Sequence, residues 1–450
     1  MRNPFLINTG FLLLGLLFFI WPIPRTISVR EISIFLLFGI FACCYRTLPL
    51  SLRIKGLSYP FVILLMLTAW ILLSAIFISN ETAWSLKEIQ GQWLVSLAVF
   101  ITAALAAISA AEGALFCRRN IMTLLFFVLM VHILYIDMYA LYVFAKTSVL
   151  PAWVFGLTGG KDKSSYLSHF LLMILCVEIY FRNRQGKGYL SINNGLLLPA
   201  LLLTLFSIYL EAVRNGTIAA LLLLLAFTLM YFSGSYRDFR KLAIMSSVIL
   251  LLLLFGYVSS TSSGSEQRQR WKTLLETVPL ALDTQNNKAW LDRDKYPYPK
   301  LKSGEPVHGS NYERIAWFKE GVVMLIDNPL GVGFGRNAFG HALKRKYPGE
   351  NTGSIHSHSG ILDFSIGTGV PGLMMWLLFI MNLMYFSCKR FMHQKSYFGL
   401  LLFFITVDFA IRMFVDSIIR DHMLQMFLFL AGLLYVFMLT EKEGAPDAIR

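Results

Sequence analysis

Long apolar runs separated by short polar turns dominate this chain, and they fix the solvent in which it folds. Twelve can be traced, at roughly 5–23, 31–45, 58–79, 91–111, 120–146, 164–181, 193–211, 215–233, 242–258, 359–386, 397–414 and 422–440. A helix that crosses a membrane needs about 20 mostly apolar residues, and helices are one of two structures a bilayer tolerates. Composition agrees. Of 450 residues, 56% are hydrophobic and 15% charged, against about 25% charged in a soluble protein. A soluble enzyme, a disordered chain and a disulfide scaffold are thereby excluded. The predicted fold class is an all-α polytopic membrane protein with about twelve transmembrane helices. The second and eleventh runs are the weakest, being short or interrupted by charge. The first run has a basic start at Arg2, as a signal peptide does. No small-x-small cleavage site precedes Trp21-Pro22-Ile23-Pro24, so it reads as an uncleaved span.

The net charge is +14. In a soluble protein that surplus points to nucleic acid. Here its placement sets orientation, and no nucleic-acid partner is expected. With the N-terminus in the cytoplasm, the inside segments hold 17 basic residues and the short outside turns and span ends hold 9. The other 14 lie in one long outside loop. This is the positive-inside bias, and an even number of spans puts both termini in the cytoplasm. Cys43, Cys44, Cys117 and Cys388 fall at cytoplasmic span ends and Cys176 within a span, with none in the long loop. No CxxC or Cys/His cluster suggests structural zinc.

The chain therefore divides into spans one to nine over 1–258, the long loop over 259–357, and spans ten to twelve over 358–450. Loops of that length are usually functional. Its first half is polar and holds Pro279, Pro297, Pro299 and Pro306. Its second half predicts an amphipathic helix over Tyr312 to Ile326. Ile315, Phe318, Val322 and Leu325 form the apolar face, and Asn311 is the N-cap. The helix ends near Asp327-Asn328-Pro329. The following Pro-Leu-Gly-Val-Gly-Phe-Gly335 comes after a helix rather than a strand. It reads as a tight turn that folds the helix onto the membrane domain, not as a dinucleotide fingerprint.

Several polar residues are candidates for chemistry. Arg214 lies between two apolar runs, where a charge is a functional candidate by default. Its structural alternative is an interfacial arginine paired with Glu211. Arg314 lies on the amphipathic helix, either in a site or as a solvated charge paired with Glu313 or its neighbours. His356 and His358 lie where the long loop re-enters the membrane. Metal binding, a general base and a plain interfacial histidine are all open to them. Asp292-Arg293-Asp294 can hold a divalent cation but reads as solvated surface. Asp416 and Arg420, at i and i+4, can share a helix face, as site residues or as an ion pair. Arg214, Arg314, His358 and Arg420 all map to the outer side. A cationic pocket beside a proton acceptor suits an anionic lipid-linked substrate. Arginine can neutralise a pyrophosphate leaving group without a metal.

These residues resemble a known family. His358-Ser359, nine residues, then Gly369-Val-Pro-Gly372 is similar to the histidine motif of O-antigen ligases. Arg314-Ile-Ala-Trp-Phe-Lys-Glu, the stretch Asn328 to Gly335, and Arg214-Asn-Gly resemble the ligase and polymerase superfamily. The resemblance implies a lipid-dependent glycosyltransferase (GT-C-like) fold in the inner membrane of a Gram-negative bacterium, with the site on the periplasmic face under a helical loop. The implied reaction moves a polysaccharide from undecaprenyl pyrophosphate to a sugar hydroxyl of lipid A–core. It inverts the anomeric centre and uses no nucleotide, metal or other cofactor. By motif, Arg214 and Arg314 hold the pyrophosphate and His358 activates the acceptor. His356, Asp416 and Arg420 are further substrate-binding candidates. The expected partners are that donor, that acceptor and membrane lipids, around a monomer, with an oligomer as the alternative. His358 is preferred over His356 because only it leaves nine residues before Gly369. An O-antigen polymerase, a protein O-oligosaccharyltransferase and a transporter are the competing readings. No repeat relates the two halves, and the candidate charges cluster on one side, both of which argue against transport.

Overall fold

The structure is a computed structural model that describes residues 4–46, 58–110, 115–232 and 273–441. Eleven of the twelve expected runs coincide with helices; the ninth, 242–258, lies outside the described residues. The helices are α1 (Pro4–Ile20), α2 (Ile27–Arg46), α3 (Ser58–Phe77), α4 (Thr82–Glu88), α5 (Val95–Ser109), α6 (Arg118–Thr147), α7 (Lys161–Gln185), α8 (Asn194–Glu211) and α9 (Arg214–Phe232). The long loop carries α10 (Leu274–Leu282), α11 (Gly309–Asp327) and α12 (Ala338–Lys346), and α13 (Gly360–Gln394), α14 (Tyr397–Arg412) and α15 (Asp421–Thr440) follow. A π-helical turn, Ile89–Leu94, joins α4 to α5. Among the described residues, eight helical stretches are long and apolar enough to cross a membrane: α2, α3, α4 with α5, α6, α7, α8, α13 and α15. The chain is thus an all-helical, multi-pass membrane protein. α1 and α9 are shorter apolar helices. α14 has 16 residues and carries Asp408 and Arg412.

The core runs along α7 and α15. α15 packs most extensively against α5, and α7 lies among α6, α8, α9 and α14. Burying both faces of these helices requires apolar residues all round, as α15 shows from Leu424 to Met438.

α13 is broken at Gly369 (φ 71°, ψ −176°). Such a break orphans backbone groups, and buried orphans are costly. Four of them have partners from outside the helix. The Ile366 and Gly367 carbonyls accept from Val332 N (2.9 Å) and Gly333 N (3.1 Å). The Thr368 carbonyl accepts from Trp70 Nε1 (2.6 Å), and Val370 N donates to the Pro329 carbonyl (2.8 Å). The glycine-rich turn after α11 is therefore a backbone clasp on the kink, and Pro371 sits harmlessly in the first turn of the second segment. A Cβ at Gly369 would lie 2.3 Å from the Leu330 carbonyl carbon, and one at Gly331 (φ 88°) would lie 2.6 Å from Gly369 N. Gly369→Ala combines a left-handed residue with a backbone clash. It is expected to cost about 2–5 kcal/mol of stability, from about 1–2 of conformation and about 1–3 of overpacking. Gly353→Ala, whose Cβ meets nothing within 4 Å, should stay within about 0.5 kcal/mol. Thermal or denaturant midpoints of the purified variants in detergent check the contrast.

Candidate functional site

The α8–α9 turn, the end of the long loop and the 413–420 loop gather at one end of the bundle. Asp416 ties all three. Its carbonyl accepts from Gly360 N (2.9 Å), and its carboxylate accepts from Asn215 Nδ2 (3.3 Å). Met413 O also accepts from Ile361 N (3.0 Å). The shared helix face expected for Asp416 and Arg420 is absent. The chain leaves α14 at Arg412, so both residues lie in a loop. Arg420 pairs instead with Asp421 (3.2 Å) and is 25% exposed. Burial raises the Asp416 carboxyl, partly offset by the Arg412 charge.

Arg214 is the first residue of α9, with two residues between it and the end of α8; its side chain lies outside the described residues. Its neighbours account for much of the Arg-Asn-Gly stretch. Asn215 reaches Asp416, and a Cβ at Gly216 would lie 2.2 Å from Ser165 Oγ, so glycine lets α9 touch α7. Glu211, the alternative partner of Arg214, is fully buried and accepts from Ser164 and from Ser168 (3.0 Å).

α11 forms where the periodicity predicted a helix, but it begins at Gly309 with His308 as N-cap, not at Asn311. The apolar face is also reassigned. Phe318 and Val322 are exposed, while Tyr312, Ala316, Trp317, Gly321 and Met324 are buried. Small Ala316 and Gly321 let the helix approach α13, where a Cβ at Gly321 would lie 3.1 Å from Leu362. Arg314 is half-buried and makes no hydrogen bond or ion pair with any described residue. Its neighbour Glu313 is taken by Tyr298 (2.6 Å) and Arg293 (3.9 Å).

His358 sits one residue before the α13 cap in a left-handed conformation (φ 59°). Its ring stacks on Trp317 at 5.4 Å and meets the His356 ring edge-on at 4.2 Å. Burial first, then His356, Arg314 and Arg420, push the His358 imidazole down to about 3. Burial, Arg420 and Arg314 push His356 down to about 4. Both rings are therefore neutral near pH 7, and the same causes place them within the field of Arg314 and Arg420. The two histidines differ in one respect. His356 Nδ1 lies 3.5 Å from Ser417 Oγ, which donates to Asp363 Oδ2 (2.6 Å). No described residue hydrogen-bonds the His358 ring. Asp363 Oδ1 also accepts from Ser357 N (2.7 Å), so a buried carboxylate pins the loop between the two rings.

Sequence reasoning missed Trp317, Asp363 and Ser417. An aromatic and a serine carry no signal of their own, whereas a carboxylate four residues into an apolar run does. A cleft beside the loop is lined by Gln92, Arg336, Asp363, Ser417 and Arg420. Arg336 in turn is held by Glu88 (2.8 Å) and Asp421 (3.3 Å). The reading of Asp292 as solvated is corrected. It is buried and accepts backbone N–H bonds from Asp294 (3.0 Å), Lys295 (3.2 Å) and Asn351 (3.0 Å), which staples two loop segments together.

Fold and site together define a helical multi-pass membrane protein with a half-buried cationic and histidine-bearing site at one end. Residues 199–377 match the family model described as O-antigen ligase. The matched span contains Arg214, Arg314, His358 and the Gly369–Gly372 kink. The match makes this part of the chain similar to the O-antigen ligase superfamily and supports a glycosyltransferase-type activity of the ligase or polymerase kind. No curated protein matches the chain.

Proposed function

We propose that the chain is an O-antigen ligase of the bacterial inner membrane. It transfers a polysaccharide from undecaprenyl pyrophosphate to a sugar hydroxyl of lipid A–core on the periplasmic face, with inversion and without a metal. Both termini lie in the cytoplasm. The observation that carries the reading is the placement of His358, whose ring no described residue hydrogen-bonds, within the field of Arg314, which pairs with no described residue, on a loop clasped to a membrane helix.

In this reading the acceptor hydroxyl gives its proton to His358 as its oxygen bonds to the anomeric carbon. The bond from that carbon to the pyrophosphate oxygen breaks, and the leaving group departs with the electron pair. Arg214 and Arg314 neutralise the charge that accumulates on it. Arg420 and Asp416 line the approach, and His356 flanks the base. An imidazole at about 3 is a weak base. An anionic donor opposes the fields of Arg314 and Arg420, and a nearby negative charge raises the histidine. The donor therefore activates the base that serves it.

The test is transfer by the purified protein from undecaprenyl-pyrophosphate-linked glycan to lipid A–core, with EDTA and no nucleotide. Glycan on lipid A–core, read by mass or gel shift, is expected. Lengthened lipid-linked glycan in its place would make the protein a polymerase, and a divalent-cation requirement would remove the metal-free reading. Donor binding without any product would favour a protein acceptor or transport.

A further inference from the structure

α11 bears an exposed apolar stripe that the site does not use. Val322 is 37%, Ile326 70% and Leu330, just past the helix, 50% exposed. α11 is not among the helices apolar enough to cross a membrane. Its position beside α13 gives the stripe a setting. Residues 370–394, beyond the kink, span about 37 Å at about 1.5 Å per residue, which covers a hydrocarbon core of about 30 Å. A segment of that length can place Gly369 at the hydrocarbon boundary, with the segment before it outside the bilayer. The bond from Val370 N to the Pro329 carbonyl puts Leu330 at that boundary. There it meets the top of the exposed apolar stripe of α13, formed by Val370, Met374, Leu378 and Met381. That bond brings the end of one stripe beside the start of the other.

A second observation concerns charge at the same level. The last turn of α12 holds exposed Lys344, Arg345 and Lys346. Arg345 Nη2 donates to Asn328 Oδ1 (3.2 Å), and Lys346 pairs with Asp327 (3.0 Å) and Glu320 (2.8 Å). The basic end therefore lies against the foot of α11. Apolar side chains flanked by Lys and Arg are what a membrane interface selects: hydrocarbon contact below and lipid phosphate beside it.

We propose that the foot of α11, through Ile326 and Leu330 with Val322 above them, is seated in the outer lipid leaflet, with Lys344 and Arg345 at the depth of the lipid phosphates. The occupant is bilayer lipid, not a second copy of the chain or another protein. The seating fixes the height of Arg314, which stands 12 residues up the helix, about 18 Å from Ile326. It needs no substrate and does not depend on the reaction proposed above.

The full chain is spin-labelled in proteoliposomes at Ile326→Cys or Leu330→Cys, with the five native cysteines replaced by serine and exposed Lys302→Cys as the control. Oxygen should relax the labels at 326 and 330 more than a water-soluble nickel chelate does, and the order should reverse at 302. Nickel dominance at 326 and 330 would overturn the seating, and so would dipolar broadening between copies. Lys344→Gln with Arg345→Gln should make the label at 326 shallower in phosphatidylglycerol vesicles but not in phosphatidylcholine. Unchanged depth in both would remove the phosphate contact. If the cysteine replacements prevent folding, hydroxyl-radical footprinting of the native chain in nanodiscs decides: Ile326 and Leu330 should escape labelling while exposed Leu275 is modified, and labelling of Ile326 comparable to Leu275 would sink the proposal.

Discussion

Replacing His358 with asparagine is expected to lower glycan transfer about 10²–10⁴-fold, the range for a lost general base, while donor binding persists. Asparagine is the informative choice because His358 is left-handed (φ 59°). Asparagine tolerates that region, whereas alanine pays about 1–2 kcal/mol there and confuses chemistry with folding. His356→Asn should cost far less, since the Nδ1 of that ring already lies against Ser417. The pH profile supplies a second readout. In the donor-free chain His358 stays neutral down to about 3. With acceptor saturating, kcat/KM for the donor should therefore show no acid limb from this histidine between about pH 5 and 8. Once the anionic donor is bound, the imidazole rises, so the acid limb of kcat should lie at higher pH. Activity is lost on that limb because a protonated imidazole cannot accept the hydroxyl proton. Full activity in His358→Asn, or its loss in His356→Asn alone, would move the base elsewhere.

The membrane helices were legible because the bilayer reads only length and polarity, and both are local in sequence. The His358-to-Gly369 spacing was legible as a pattern, and the fold supplies its cause. The nine intervening residues are the first segment of α13, from its start to the kink. The face that α11 buries was not legible. Periodicity detects that a helix is amphipathic, but in this setting two apolar environments compete for its side chains. Packing took the face with small Ala316 and Gly321, which allow close approach, and left Phe318, Val322 and Ile326 exposed.

Long-range polar pairing was equally hidden. His169 on α7 pairs with Asp408 on α14 at 2.8 Å, both fully buried, and Arg412 lies over the Tyr166 ring at 5.3 Å. Asp137 on α6 accepts from Ser207 on α8 (2.6 Å). Each charge inside an apolar run is itself a signal. Its partner lies on a distant helix, and no spacing rule reaches it. The expected Asp416–Arg420 face failed for a related reason: i, i+4 proximity holds only while the chain stays helical.

Arg314→Ala is expected to reduce transfer about 10²–10³-fold, as when one preorganised electrostatic donor is removed. Stability should change by less than about 0.5 kcal/mol. The two halves of that expectation share one observation. Arg314 pairs with no described carboxylate, and Glu313 keeps its bonds to Tyr298 and Arg293, so truncation orphans nothing. Arg314→Lys should recover little, because a point charge does not reproduce the two parallel donors that a guanidinium offers phosphate. Where the loss falls decides the role. If Arg314 acts on the charge that develops as the pyrophosphate leaves, kcat falls and donor affinity changes little; if it only grips the ground state, donor Kd weakens and kcat holds. The substitution also removes one of the cations that depress both histidines, so the His356 and His358 titrations should move upward, as NMR of the labelled imidazoles would record. Transfer within about two-fold of the parent would correspond to less than about 0.5 kcal/mol of transition-state stabilisation, too little for a residue that neutralises a leaving pyrophosphate, and would leave Arg214 and Arg420 as the cations to test.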